Sequence, residues 1–274
     1  GYVVSVAPHA RGRYGRFAGT EQERLSDLND ALCRPDIDII LCSRGGYGLQ
    51  QIADRICVPE KRVPLVVGFS DITVLHNILG LHGIPALHAS MCKYIATLPN
   101  EHPALQLLQR ALQEENMTYS LSPQPYQRAG ECEGRLIGGN LSVLYGLQGT
   151  PYSLNCLINK CTEPPILFIE DVCERHYHID RMMQNLRMSG VLARIGGLVV
   201  GQFTDCDDDP LMGCTIYETI LRTVAGYDFP VMQNLPAGHV EQNVPLRFNT
   251  KWHLIVSANG AQLTECSAPN SRRN

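Results

Sequence analysis

Apolar positions follow two different periods along the chain, and over the first 120 residues the period switches in a regular rhythm. Leu25, Leu28 and Leu32 recur at helical spacing behind Thr20 and Glu23, whose separation of three makes a capping box, and the helix they predict ends near Pro35. Asp36–Ser43 (DIDIILCS) predicts a buried strand, the glycine-rich RGGYG of 44–48 follows, and Leu49, Ile52, Ala53 and Ile56 mark a second helix. Pro64–Ser70 (PLVVGFS) predicts a strand that runs directly into the helical pattern of Val74, Leu75, Ile78 and Leu79, with Ile84–His88 as a further strand. The chain opens on GYVVSV, a strand-like run that starts almost at its first residue. Strands alternating with helices predict helices packed on a parallel sheet.

Periodicity lapses between Ser120 and Gly134 (SLSPQPYQRAGECEG), where Pro, Ser and Gly collect. The expected organisation is an N-terminal α/β domain over 1–120, a linker over 121–135, and a smaller C-terminal domain of mixed strands and helices over 136–274. The latter shows short strands at Ile166–Glu170, Gly197–Phe203 and Trp252–Ser257, with helices near Asn140–Leu147 and Ile179–Met188. Asn259-Gly260 predicts a hairpin turn whose two central positions take positive φ. The terminal SAPNSRRN reads as a frayed tail.

A length of 274 residues with 44% hydrophobic composition suffices for one large or two medium domains. Twenty-three Lys and Arg against 27 Asp and Glu leave a net charge of -4, which argues against binding dominated by nucleic-acid phosphates. No run approaches the roughly 20 apolar residues of a membrane-spanning helix, and the opening segment lacks the order of a secretory signal. A soluble, cytoplasmic protein without nucleic-acid or membrane partners is expected. Eleven cysteines form no C-x-x-C pair and lie in apolar runs, which predicts reduced, buried thiols.

Ser70 stands at a strand-to-helix junction in VVGFSDIT, where a sharp turn would lift its hydroxyl above the sheet. That placement suits a nucleophile, as in the G-x-S-x-G elbow, although Ile72 stands where the second glycine belongs; the alternative is a helix cap by Ser70 or Asp71. A serine nucleophile needs a base and a group to orient it. Glu170 closes the apolar strand PPILFIED, with Asp171 as its competitor, and His239 lies on a loop flanked by Pro236 and Gly238 in LPAGHVEQN. His176 and His178 with Glu174 invite a metal, but a helix would make them diverge, so they read as surface or supporting groups. Asp205, Asp207, Asp208 and Asp209 lack the pattern of a calcium loop and read as a solvated turn. The amides of RGGYG suit a phosphate, an oxyanion, or simply a tight turn, and the stretch fits neither the Walker loop nor the dinucleotide fingerprint.

Taken together, CSRGGYG, VGFSDIT, GGNLSVL, LFIEDV and PAGHV resemble, in order and over nearly the whole chain, the LD-carboxypeptidase family of serine peptidases. The resemblance implies a flavodoxin-like or Rossmann-like N-terminal sheet carrying the nucleophile Ser70, and a C-terminal domain carrying Glu170 and His239. It also implies cytoplasmic homodimers acting on a muropeptide (tetrapeptide) without metal or cofactor. The expected oxyanion donors are the N–H of Asp71 with that of Gly45 or Gly46. Arg44 and Tyr47 are the substrate-binding candidates, Arg44 for the terminal carboxylate or, equally, as a salt bridge supporting the loop. Family members normally begin with one more strand and helix ahead of the segment that here starts at Gly1.

Overall fold

The computed structural model describes residues 1–266; the expected tail at 267–274 lies outside the described residues. In chain order the elements are α1 (Glu21–Cys33), β1 (Ile39–Leu41), β2 (Leu65–Gly68), α2 (Thr73–Leu81), β3 (Ala86–His88), α3 (Cys92–Ile95), α4 (Pro103–Leu112), β4 (Thr118–Leu121), β5 (Gly130–Asn140), α5 (Leu141–Gly146) and α6 (Leu154–Ile158). There follow β6 (Ile166–Val172), α7 (His176–Met188), β7 (Gly197–Thr204), α8 (Ile216–Thr223), β8 (Val231–Met232), β9 (Leu246–Phe248), β10 (Lys251–Ser257) and β11 (Gly260–Glu265).

Two mixed sheets organise the molecule. The first runs β1-β2-β3-β9, with β1, β2 and β3 parallel and β9 antiparallel to β3. The second runs β4-β11-β10-β5-β6-β7-β8, with seven strands. Its size comes from β5, whose first half pairs antiparallel with β10 while its second half pairs parallel with β6, joining a hairpin meander to a parallel sheet. The expected linker therefore overlaps the start of β5, and β4 pairs with β11. One of the hydrophobic clusters spans both sheets, gathering Val67 and Leu87 of the first with Phe168, Val199 and Trp252 of the second.

Local sequence explains most elements. The Thr20–Glu23 capping box closes α1 in both directions, and Leu25 and Leu32 bury its inner face. The strand β6 is buried along six of its seven residues, as a central parallel strand requires. The helix expected from Leu49 to Ile56 is instead a succession of i→i+3 turns, with only Ala53–Arg55 in regular 3₁₀ form. The positive φ of Gly48 precedes the segment, and the Asp71 carboxylate takes the Leu49 N–H at its start, fixing a turn there. Residues 1–13 form no strand, and Val3 and Val4 are exposed because no described segment pairs with them. The hairpin between β10 and β11 forms, but Ser257 pairs with Gly260, so Ala258 and Asn259 make the turn and the positive φ falls on Gly260 alone, at 132°. A Cβ there would stand 2.3 Å from the Leu121 carbonyl of β4, so glycine serves sheet packing as well as the turn. Contrary to expectation none of the cysteines is fully buried: Cys33, Cys57, Cys92 and Cys173 are exposed, lying at the ends of elements rather than within them.

Candidate active site

The strand β2 ends at Gly68, and the chain turns at Ser70 through a φ of 66° before a short 3₁₀ segment leads into α2. This is left-handed backbone that a serine adopts only under constraint, and it lifts the hydroxyl off the end of the strand. Glu170, fully buried, arrives from the far end of β6, where its register partner is Asn140 of β5. His239 lies on the loop that leaves the second sheet and enters the first as β9, so the crossing of the chain between sheets carries the imidazole over Ser70.

The three side chains meet. Ser70 Oγ lies 3.1 Å from His239 Nε2, and His239 Nδ1 lies 2.8 Å from Glu170 Oε2. With Glu170 ionised, Nδ1–H donates to it, and Nε2 is left to accept the serine proton. The imidazole side chain is 12% exposed, open enough to meet a ligand yet largely shielded. Phe69 meets it edge-on at 4.8 Å, fixing the ring plane from behind. The φ of 122° at Gly238 brings its backbone against Glu170, where a Cβ would sit 2.7 Å from Oε2.

The RGGYG loop forms the opposite wall. A Cβ on Gly45 would lie 2.7 Å from Ser70 Cβ, and the N–H groups of Gly45 and Gly46 donate to no protein acceptor among the described residues. Arg24 holds the loop through the Gly48 carbonyl at 2.9 Å, and the Asp71 carboxylate accepts the Leu49 N–H at 3.0 Å. Burial raises the Asp71 carboxyl above the ordinary range, opposed by that hydrogen bond and by the nearby Arg24 charge. Arg44 and Tyr47 are exposed on the same loop, and Arg44 makes no salt bridge with any described carboxylate, so it does not brace the loop in that way. Tyr94 of α3 packs on Phe69 at 5.4 Å, its hydroxyl raised by burial and then by the Glu170 charge.

Asp171, the competitor of Glu170, faces away from Ser70. It accepts from Asn140 Nδ2 at 2.9 Å, Ser142 N at 2.8 Å and Val172 N at 2.9 Å, tying β6 to the start of α5. The remaining candidates lie outside the cluster. Of the pair expected as surface or supporting groups, His176 is buried and bonds Thr219 Oγ1 at 2.7 Å, while His178 pairs with Glu174 at 3.1 Å. Asp208 and Asp209 cap local backbone N–H groups. Among the described residues no group of three His, Cys, Asp or Glu side chains is arranged to hold a metal ion. Phe69, Tyr94, His88 and Asn243, which also border the site, read in sequence as ordinary strand, helix or loop residues, and no spacing distinguishes them.

The chain matches the LD-carboxypeptidase N-terminal domain over residues 1–89 and the LD-carboxypeptidase C-terminal domain over 133–254. It is 31% identical over 258 residues to a probable murein peptide carboxypeptidase of Bacillus subtilis, covering 92% of this chain and 79% of that protein. It is 33% identical over 256 residues to the murein tetrapeptide carboxypeptidase of Pseudomonas aeruginosa, covering 89% and 80%. Its fold superposes on the muramoyltetrapeptide carboxypeptidase from Oxalobacter formigenes with a TM-score of 0.79 at 27% identity, over 94% of this chain and 88% of that one. The microcin C7 self-immunity protein MccF in complex with glutamyl sulfamoyl guanosine shares the fold at a TM-score of 0.76 and 19% identity, over 94% and 85%.

Proposed function

The chain belongs to the LD-carboxypeptidase family, and from that premise we propose that it hydrolyses the L,D-amide bond that releases the terminal D-alanine of murein tetrapeptides, using Ser70, His239 and Glu170 as its catalytic triad. The observation that carries this reading is the unbroken chain of contacts from Ser70 Oγ through His239 to Glu170, at 3.1 and 2.8 Å.

Ser70 Oγ attacks the carbonyl carbon as His239 Nε2 takes its proton; the new C–O bond forms while the carbonyl π pair moves onto oxygen. The N–H groups of Gly45 or Gly46 and of Asp71 receive that oxyanion, each aligned donor contributing about 3 kcal/mol. Glu170 stabilises the imidazolium without taking its proton. The oxyanion then collapses, the C–N bond breaks, and His239 protonates the departing amine of D-alanine. Water, deprotonated by His239, hydrolyses the acyl-serine by the same steps in reverse order. Arg44, exposed and without an ion-pair partner among the described residues, binds the carboxylate of D-alanine in this reading, with Tyr47 beside it on the loop. The family resemblance further suggests a cytoplasmic homodimer needing no cofactor and no nucleic-acid or membrane partner.

Two other readings find less support. A ligand-binding module using RGGYG alone predicts the three residues far apart, which they are not. An immunity peptidase cleaving aminoacyl-nucleotides calls for a stacking aromatic on a loop near the site; Trp252 is buried against Tyr119 and does not serve, which leaves Tyr47 as the exposed aromatic on that loop. The test is D-alanine release from a disaccharide tetrapeptide, read by mass, for wild type and Ser70→Ala, with D,D-linked peptide as the control substrate. Ser70→Ala should lose at least about 10³-fold in kcat with its thermal midpoint retained. Undiminished turnover in that variant removes the nucleophile, and cleavage of only the D,D-linked peptide by the wild type removes the substrate assignment.

A further inference from the structure

Behind His239 lies a second group of polar side chains for which the triad chemistry has no use. His88, at the end of β3, and His76, in α2, are buried at 0% and 1% exposure. Their four ring nitrogens, together with Asn243 Nδ2 and Ser90 Oγ, reach no hydrogen-bond partner among the described residues. So many unpaired buried polar atoms in one place are uncommon and call for a reason. Aromatic rings frame the group: Phe248 stands 5.2 Å from His76 and 5.6 Å from His88, and Phe69 separates His88, at 5.6 Å, from His239, at 4.8 Å.

Asn243 links this group to the active site. Its Oδ1 accepts the N–H of Gly238, the residue before His239, at 2.8 Å. The same loop is closed by Val240 N–H on the Gly238 carbonyl and by Val244 N–H on the Pro236 carbonyl. With Oδ1 committed to Gly238, the amide turns Nδ2 away from that N–H, and Nδ2 and the ring nitrogens of the neighbouring His88 are left without hydrogen bonds among the described residues. A neutral imidazole offers one lone pair there, and burial together with the nearby His76 and His239 keeps His88 neutral.

We propose that Asn243 and His88 are positioning residues for the proposed triad: His88 orients the Asn243 amide, and Asn243 holds the Gly238–His239 peptide so that the imidazole spans Glu170 and Ser70. The inference rests on the triad reading. Were the amide free to rotate, its NH2 would face the Gly238 N–H, two donors opposed, and the loop would shift. A displacement of about 1 Å at His239 is enough to cost about 10² in rate.

The test compares wild type, Asn243→Ala, His88→Leu and His88→Gln in two assays: D-alanine release, and acylation of Ser70 by a fluorophosphonate. Asn243→Ala and His88→Leu should each lower kcat about 10²-fold with KM within about twofold, and slow acylation by a similar factor. His88→Gln, which retains an acceptor, should recover at least about tenfold of that loss. His88→Leu removes two unpaired buried nitrogens, so its thermal midpoint should equal or exceed that of wild type, separating positioning from stability. A kcat within about threefold of wild type in His88→Leu, failure of Gln to outperform Leu, or a loss confined to KM overturns the inference. Asn243→Ala reads the same linkage from its other end should His88→Leu not fold. Ser70→Ala distinguishes the two levels: an active Ser70→Ala removes the triad and this inference with it, whereas an inactive Ser70→Ala beside an active His88→Leu removes only the positioning role.

Discussion

A Cβ added to Gly45 would stand 2.7 Å from Ser70 Cβ and 2.9 Å from Oγ. Oγ can rotate away, but Ser70 Cβ is fixed by a backbone already held at a φ of 66°, so the loop would have to retreat. Gly45 does not itself need positive φ; it is glycine because two backbones approach closely. Gly45→Ala is therefore expected to displace the proposed oxyanion donors while sparing the core, which lies elsewhere. kcat/KM for D-alanine release should fall at least about 10²-fold with the thermal midpoint within about 3 °C of wild type. Near-normal kcat/KM would mean that the loop does not contact the reacting carbonyl. Gly238 makes a similar approach from the other side, against Glu170 Oε2. The geometry of the cluster thus depends on two positions with no side chain.

At the level of elements, the nucleophile and its partners belong to different sheets, and α2 joins them. Its first residue, Thr73, accepts the Asn140 N–H on Oγ1 at 3.0 Å, and Asn140 caps α5 while donating to Asp171. The helix that follows Ser70 is thereby fastened to the strand ends that carry Glu170. Thr73→Val keeps the shape and deletes the acceptor, leaving a buried N–H unpaired, so the chain should lose about 1–3 kcal/mol by urea denaturation and show reduced kcat. Unchanged stability would show that water replaces the hydroxyl.

The helix itself was legible, since Val74, Leu75, Ile78 and Leu79 define its buried face, and so was the candidate cluster of Ser70 just after β2, Glu170 near the end of β6 and His239 beside Gly238 on a loop, which the structure brings into contact. The bolt at Thr73 was not, because a threonine opening a helix looks the same whether or not a distant N–H reaches it. The turns at 49–56 were misread as a helix for a related reason: their apolar spacing is helical, but the Asp71 carboxylate and the adjacent glycines decide the backbone.

For the molecule as a whole, the least legible feature is the return of the C-terminal half into the first sheet. β9 is three residues long, too short for any periodicity, yet it aligns Leu246 with His88 and ends the loop that carries His239. Arg247 in β9 donates to Glu265 Oε1 at 2.9 Å and to the Ala111 carbonyl at 2.9 Å, all buried, so the two sheets are clasped through a charge pair. The interior that results holds His76 and His88 neutral: burial lowers His76 to about 3 and His88 well below the ordinary imidazole value.

Unfolded, both imidazoles would take up a proton below about pH 6.5, so the stability they confer is present above that pH and is lost as pH falls. Asp171 acts oppositely. Burial, and then the Glu170 charge, raise its carboxyl to about 7, so the native state keeps a proton that the unfolded chain releases above its ordinary value of 3.8. Between about pH 4 and 6.5 two protons favour the unfolded chain against one favouring the native, and the imidazoles prevail. Stability should drop on acidification through that window by about 1.4 kcal/mol per pH unit from these groups. The urea midpoint should accordingly be lower at pH 5.0 than at pH 6.5. In a His76→Leu, His88→Leu double variant the raised carboxyls of Asp171 and Asp71 remain, both favouring the native state on acidification, and the slope should reverse. A midpoint that is flat or rises on acidification in the wild type would mean that the buried imidazoles are charged or hydrated in the folded protein.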